Sequence, residues 1–266
     1  MLHKIHVRSH EQYYSVILMT DDFKIVILAK FDKNDFPKKA TVDIHGKPMI
    51  QHVFESAQAS GASEIVIATD SPRVGMIAED FGATVCMIID NELTGLASLA
   101  DVADKMGWSD ETIVVNFPGD APLTPGPIIK QVADNLITHT EADSSVLYSM
   151  VSPNVATKDY TVNLAVDSNG FVMYMSRLPL PHQSAVDYQV SAYKCSIEIY
   201  AYRAGLLRVY KNLPESDIDR AENIEELKLL CNGMNIHAAE ANSLIGQRVI
   251  TEDDVEKVKL QIAPAR

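Results

Sequence analysis

The chain has 266 residues, of which 47% are hydrophobic, so it can bury a large core and is too apolar to be disordered. Its 36 acidic residues outnumber 23 basic ones, and the net charge of -13 disfavours non-specific binding to nucleic acid or anionic lipid. There is no apolar run of the roughly 18 residues that a membrane helix needs, no signal-peptide pattern and no CxxC pair. We expect a soluble cytoplasmic protein that binds a small molecule or another protein, not nucleic acid or membrane.

The first 22 residues are predicted to be an N-terminal extension, because the first continuous apolar run typical of a buried parallel strand is 23–31. The spacing of His3, His6 and His10 in this extension suits a metal site, although a mobile or partly paired tail is the favoured interpretation. The apolar run 14–19 is expected to add an edge strand or to pack on the sheet.

From residue 23 to about residue 149, β-rich runs alternate with segments of helical periodicity. The later runs predict strands at 64–68, 84–88, 112–116 and 145–149, and the segments between them predict helices at 49–59, 74–81, 96–106 and 125–136. This βαβα order predicts a mostly parallel sheet with helices on both faces and right-handed crossovers.

After residue 150 the pattern changes to that of a β-rich piece followed by helices. Two β-rich runs, 161–166 and 171–175, flank a turn cluster at 167–170 and predict a hairpin. The rest of the chain predicts a strand at 195–202, helices at 204–212 and 219–231, a strand at 236–239, a helix at 251–260 and a tail at 261–266.

Candidate ligand-binding residues follow the predicted strands, because a parallel α/β sheet binds ligands beyond the carboxyl ends of its strands. The loop 28–39 carries four lysines, which either neutralise a triphosphate or form a solvated basic loop. Thr69 and Asp70 follow the second strand, and 118–122 follows the fourth. Asp120, beside a glycine, is either a magnesium ligand or part of an ordinary turn.

Four ordered segments resemble those of the 3-deoxy-manno-octulosonate cytidylyltransferases, a family of bacterial CMP-sugar synthetases. The segment 43–50 resembles their INGKPMI segment, 68–70 their ATD, 119–122 their GDEP and 200–203 their YAYR. The resemblance extends from about residue 23 to 258. It implies one α/β, Rossmann-like nucleotidyltransferase domain (GT-A-like) over 23–260, with a mostly parallel sheet and a β-rich insertion at about 160–200 that pairs two subunits into a homodimer.

The resemblance also implies a reaction, in which a hydroxyl of a sugar acid attacks the α-phosphate of CTP and releases pyrophosphate with the help of Mg²⁺, for lipopolysaccharide biosynthesis. By position it assigns catalysis to Lys30, Lys39 and Asp120, with Asp120 as the metal ligand. The residues implied for the nucleotide are Leu28, Ala29, Lys30, Lys39, Thr69, Asp70, Thr94, Gly95, Pro118 and Gly119, and those implied for the sugar acid are Arg177, Ser196, Tyr200, Glu225 and Glu226.

The sequence departs from this family's pattern on the nucleotide side. An arginine and a glycine of the family's nucleotide loop are Asp35 and Lys38 here. The family's Ser-Gly-Thr-Glu-Arg segment aligns with 94–98 and loses both of its charged residues. Its second metal carboxylate falls on Ile250, and a nearby acid such as Glu252 or Asp253 could compensate for this change.

On the sugar side, the family's Arg-His before Leu-Gly-Ile-Tyr becomes Cys195 and Ser196, and its Glu-Gln becomes Glu225 and Glu226. A second carboxylate in place of the amide would repel an acidic sugar. These changes favour a different substrate or no substrate over ordinary drift.

Three hypotheses follow for the function of the chain: an active cytidylyltransferase, a catalytically impaired paralogue that senses nucleotides or regulates, and a structural scaffold that pairs with an active homologue. A dinucleotide-dependent oxidoreductase is disfavoured because no GxGxxG turn follows the first strand. A serine hydrolase is disfavoured because the sequence lacks a Gly-x-Ser-x-Gly elbow.

Overall fold

The computed structural model describes residues 22–30, 36, 38–88, 95–183 and 190–262, and the backbone of 3–9 and 12–18. The strands are β1 (His3–Ser9), β2 (Gln12–Leu18), β3 (Phe23–Leu28), β4 (Asp43–Ile44), β5 (Lys47–Pro48), β6 (Glu64–Thr69), β7 (Thr84–Met87), β8 (Ile113–Pro118), β9 (Ser144–Val151), β10 (Asn163–Val166), β11 (Val172–Ser176), β12 (Tyr193–Arg203) and β13 (Ile236–Glu240). The helices are α1 (Met49–Gln58), α2 (Pro72–Asp80), α3 (Gly95–Lys105), α4 (Gly126–Thr138), α5 (Pro153–Ala156), α6 (Ala204–Tyr210), α7 (Asp217–Glu222), α8 (Glu225–Cys231) and α9 (Glu252–Gln261).

Nine of the described strands form one central sheet, in which β7, β6, β3 and β8 are parallel neighbours in that order. Strand β12 then pairs antiparallel with both β8 and β9, and β13 pairs parallel with β9. The predicted α/β fold with a largely parallel sheet is confirmed. Because β3 lies between β6 and β8, the chain winds away from β3 in both directions, and this reversal of strand order opens a crevice at the carboxyl end of β3.

Both faces of this sheet are covered by helices, as the packing of alternate side chains of β3 on opposite faces shows. Val26 packs in a core cluster with residues of α3, α6 and α8, whereas Ile25 and Ile27 pack on the opposite face with residues of α1 and α4. All three side chains are fully buried. Successive strand residues point to opposite faces, so an uninterrupted apolar run is what a strand covered on both sides requires.

The predicted hairpin after residue 150 is confirmed. Strands β10 and β11 pair antiparallel, with Asn163 opposite Ser176, and the hairpin joins the central sheet where Asn163 pairs with Cys195 of β12. Gly170 in its turn has a φ of 90°, a conformation that suits glycine.

Two expectations need correction. The run 14–19 does not add an edge strand to the described central sheet, because β2 pairs with β1 in a separate two-stranded sheet. The alternative, that this run packs on the sheet, concerns side chains outside the described residues and stays a prediction. The side chains of His3, His6 and His10 lie outside what the structure describes. The single helix predicted over 219–231 is also wrong: it is divided into α7 and α8 at Asn223, whose φ of 52° is left-handed and ends the first helix.

None of the described helices is both long and apolar enough to cross a membrane.

Candidate functional site

A cleft of about 690 Å³ lies beyond the carboxyl ends of β3 and β8. Its size is in the range of small-molecule sites. Twelve of the predicted site residues line it: Leu28, Ala29, Lys30, Lys39, Gly95, Pro118, Gly119, Asp120, Arg177, Tyr200, Glu225 and Glu226. Lys38, from the predicted lysine loop, also lines it, as do residues that sequence reasoning did not assign, among them Phe36, Thr41, Ser71, Arg73, Asn116, Glu198, Asn223 and Arg248.

Three predicted residues, Thr69, Asp70 and Ser196, do not line the described cleft. The side chain of Thr69 is fully buried, and its hydroxyl donates to the carbonyl of Ala29 at 2.7 Å, so it joins β6 to the end of β3. Asp70 and Ser196 are absent from the lining, although the Ser196 hydroxyl lies 3.0 Å from that of Tyr200, which is part of it. Thr94 lies outside the described residues.

The floor of the cleft depends on a close backbone approach at Gly119. A Cβ atom at this position would lie 2.5 Å from the carbonyl oxygen of Leu28. No real Cβ contact is that short, so a side chain here would push β3 and the end of β8 apart. The glycine therefore allows Asp120, the next residue, to reach the cleft beside β3.

Asp120 is the centre of a charged cluster. Its carboxylate accepts from Lys39 Nζ at 2.9 Å through Oδ2 and from Arg248 Nε at 2.9 Å through Oδ1, and Nη2 of Arg248 lies 2.8 Å from the same Oδ1 as an ion pair. Asp120 is only 8% exposed. Burial on its own raises the pKa of this carboxyl, but the positive charges of Arg248 and Lys39 outweigh it, so the pKa lies below its ordinary value.

A second carboxylate, that of Glu198, pairs with Arg248 Nη1 on the other side of the guanidinium. It reaches the cleft because β12 runs antiparallel to β8, with Tyr200 opposite Asn116, so that the residues before Tyr200 lie near the carboxyl end of β8. Glu198 also lies in a register irregularity of β12 and has a φ of 59°. A non-glycine residue in that conformation is uncommon, and such strain is often found at functional sites.

Arg248 is positioned by the chain just before α9. The amide of Val249 donates to the carbonyl of Asp120 at 2.9 Å, which fixes the adjacent arginine beside the carboxylate. Sequence reasoning missed this pair. The only available signal was at Glu198, which stands where the Leu-Gly-Ile-Tyr pattern has glycine; nothing in the local sequence marks Arg248.

The donor set around Asp120 does not fit a magnesium site of the kind that the resemblance implies. Both oxygens of Asp120 already accept from cations, and Ile250, at the position of the second carboxylate, is apolar and 43% exposed. Glu252 and Asp253 are exposed in the first turn of α9 and are not part of the cleft lining. Across the described residues, no group of three or more His, Cys, Asp or Glu side chains is arranged to hold a metal. Magnesium is usually bound by one or two carboxylates together with substrate phosphates, whereas the carboxylate of Asp120 is already paired with two side-chain cations.

The opposite wall of the cleft is built around the start of α8. The carboxylate of Glu225 accepts from the amides of Gly95 and Leu96, both at 2.7 Å, and so caps the N-terminus of α3. Glu226 is 7% exposed and accepts from the Tyr202 hydroxyl at 2.8 Å. Burial, with the nearby charge of Glu225, raises the pKa of Glu226 from 4.5 to about 7.

Arg177 completes this wall from the end of β11. Its backbone amide donates to Glu222 at 2.8 Å, and its Nη2 donates to the carbonyl of Asn223 at 3.3 Å. The left-handed residue that separates α7 from α8 therefore also orients the arginine. The remaining guanidinium donors suit a carboxylate, which an arginine binds through two parallel hydrogen bonds.

Comparison with known proteins shows the family to which the chain is similar. The family model described as "Cytidylyltransferase" matches residues 24–236. A 3-deoxy-manno-octulosonate cytidylyltransferase of Haemophilus influenzae (strain PittEE) is 38% identical over 250 residues, covering 91% of this chain and 98% of that protein. One from Coxiella burnetii (strain RSA 331 / Henzerling II) is 36% identical over 248 residues, covering 90% of this chain and 98% of that protein.

Among solved structures, a CMP:2-keto-3-deoxy-manno-octonic acid synthetase complexed with CTP superposes with a TM-score of 0.83 at 32% identity. The match covers 90% of this chain and 98% of that one. Fold, length and sequence thus agree over nearly all of both proteins. The chain therefore belongs to the cytidylyltransferase family.

Proposed function

We propose that this protein transfers CMP from CTP to a sugar acid, either 3-deoxy-manno-octulosonate or a related acid. The observation that carries the proposal is the cleft at the reversal point of the sheet, with Lys39, Asp120 and Arg248 together beyond β8. Relatives that match this chain along almost their full length are named for that reaction, and a similar structure was solved with CTP.

The cationic side of the cleft suits the triphosphate of CTP. The sugar-acid hydroxyl would attack the α-phosphorus, the bond from that phosphorus to the bridging oxygen would break, pyrophosphate would leave, and the hydroxyl proton would pass to solvent. Transfers of this kind depend mainly on positioning and on neutralising the charge of the phosphate oxygens. Lys39 and Arg248 would supply that charge beside the cleft floor at Gly119.

The opposite wall suits the acceptor. Arg177 would bind the carboxylate of the sugar acid, and Tyr200 would offer a hydroxyl from the stacked pair that it forms with Tyr202, whose ring centroid lies 6.0 Å away. Glu225 and Glu226 face the same space, and they favour an acceptor that presents hydrogen-bond donors to this wall.

The hypothesis of an impaired paralogue that acts as a sensor, regulator or scaffold gains no support from any of the comparisons. A homodimer, which the resemblance implies, and a cytoplasmic location, which the composition indicates, stay predictions. The magnesium dependence that the resemblance also implies disagrees with the donor set around Asp120.

The proposal is tested by incubating purified protein with CTP and a panel of 3-deoxy sugar acids, while pyrophosphate release is followed and the CMP-sugar is identified by mass spectrometry. Lys39→Met should lower kcat/KM at least about 100-fold, because one phosphate-neutralising charge is lost. Arg220→Gln, which alters an exposed arginine on α7, is the matched control. Absence of a CMP-sugar with every acid, or full activity in the Lys39 variant, would contradict the proposal.

A further inference from the structure

We infer that Arg248 takes the place of a metal ion beside Asp120, so that this site binds the triphosphate of CTP without a divalent cation. The inference rests on the proposed function, because it concerns how the same cleft neutralises the same ligand. It starts from the finding that the donor set around Asp120 does not fit magnesium.

The cluster around Asp120 has the same net charge as a magnesium site. A magnesium ion held by two carboxylates is a neutral unit, and so is the cluster formed by Lys39, Arg248, Asp120 and Glu198. The two side-chain cations thus provide the positive charge of one divalent ion, and Glu198 provides the second negative charge that Ile250 cannot. The chain therefore preserves the charge balance of a metal site, with two side-chain cations in place of the metal ion.

Both cations of the cluster keep hydrogen-bond donors for a ligand. A guanidinium has five N–H donors. Nε of Arg248 donates to Asp120, and Nη2 and Nη1 lie within ion-pair distance of Asp120 and Glu198. Even if each of these two nitrogens directs one hydrogen at a carboxylate, each keeps a second hydrogen for a ligand. Lys39 uses one donor on Asp120. Because both groups also line the cleft, they can donate to phosphate oxygens while they stay attached to Asp120.

Arg248 is held in place before any ligand binds. Carboxylates lie on two sides of its guanidinium, and the hydrogen bond from Val249 to the Asp120 carbonyl fixes the adjacent backbone. Glu198 is therefore a positioning residue, and its left-handed φ is the conformational cost of reaching the arginine. A cation that is already oriented loses little entropy on binding a phosphate.

The test compares CTP binding by isothermal titration calorimetry in excess EDTA and in excess Mg²⁺. The wild-type protein should bind with dissociation constants that differ by less than about threefold between the two conditions. Arg248→Gln should weaken binding at least about tenfold in EDTA, because one charge-assisted phosphate contact is lost. Arg220→Gln, on an exposed arginine away from the cleft, should bind like the wild type.

A double variant sharpens the comparison. Arg248→Gly together with Ile250→Asp removes the cation and supplies a carboxylate, so CTP binding should become dependent on Mg²⁺. Circular dichroism of each variant shows whether it is folded; if Arg248→Gln fails to fold, Arg248→Lys, which keeps the charge, is used instead and should weaken binding less than tenfold.

The outcomes separate the two proposals. Binding of CTP by the wild type only in Mg²⁺ would overturn the role of Arg248 and leave the cytidylyltransferase function intact. Equal binding by the wild type and Arg248→Gln in EDTA would also overturn it. Absence of binding in both conditions would contradict the function itself, and the inference would fall with it.

Discussion

The buried carboxylate of Glu226 should make the stability of this protein depend on pH in an unusual direction. In the folded protein its pKa is about 7, against 4.5 for the same group when exposed. Between these values the folded state holds a proton that the unfolded state has released. Stability through this group is therefore greatest below pH 4.5 and is lost as pH rises to 7.

The expected magnitude is large compared with the stability of a domain. Each unit of difference between the folded and unfolded pKa values corresponds to about 1.36 kcal/mol. Relative to its value at low pH, the free energy of unfolding is therefore lowered through Glu226 by about 3 kcal/mol at pH 8 and by under about 1 kcal/mol at pH 5. Glu226→Gln cannot ionise, and its amide oxygen can still accept from the Tyr202 hydroxyl. The variant should therefore gain about 2 kcal/mol relative to the wild type between pH 5 and pH 8.

Urea denaturation of both proteins at pH 5 and pH 8, followed by circular dichroism, measures this change. The control is Glu111→Gln, because Glu111 lies exposed in the turn before β8. A stability difference between Glu226→Gln and wild type that is the same at both pH values would refute the reasoning, since it would mean that Glu226 titrates at the same pH in both states.

Three further substitutions test other contacts. Glu225→Ala removes the acceptor of two 2.7 Å hydrogen bonds at the start of α3 and should lower the free energy of unfolding by about 2 kcal/mol in urea denaturation; a loss under about 0.5 kcal/mol would contradict the capping role. Gly119→Ala places a Cβ 2.5 Å from the carbonyl oxygen of Leu28 and should weaken CTP binding more than about tenfold in calorimetry, and unchanged affinity would count against the close approach. Gly170→Ala places a Cβ 2.5 Å from His237 Nε2 at a φ of 90°, so it should lower the free energy of unfolding in thermal denaturation by about 1–3 kcal/mol. CTP affinity should be unchanged, since Gly170 is not part of the cleft lining.

Much of the fold follows from local periodicity. The β-rich runs and the amphipathic segments between them give the right elements because burial on both faces, or on one helical stripe, imposes a pattern on consecutive residues. The break between α7 and α8 was not predicted, because it depends on the left-handed conformation of Asn223. Many asparagines do not adopt that conformation, so the residue type alone does not indicate a helix end. The insertion of β12 between β8 and β9 was missed because strand order depends on tertiary packing.

The candidate site divides in the same way. Residues that directly follow parallel strands, such as Asp120, were predictable because the ends of those strands meet at one edge. Glu198 and Arg248 come from an antiparallel strand and from an irregular segment before α9, so only the folded structure brings them together. Because Arg248, Glu198 and Asp120 are far apart in the sequence, no motif spacing indicates that they lie together.

Because Glu225 caps α3, an anion from a ligand can bind at this helix end only in exchange for the carboxylate of Glu225. The amides of Gly95 and Leu96 point at a carboxylate that belongs to the chain itself. A phosphate or carboxylate of a ligand gains those two donors only by displacing Glu225, and the displaced residue is the first of α8. A ligand anion that binds to these amides on the nucleotide side would therefore displace Glu225. The displacement would move the start of α8, which forms part of the acceptor wall.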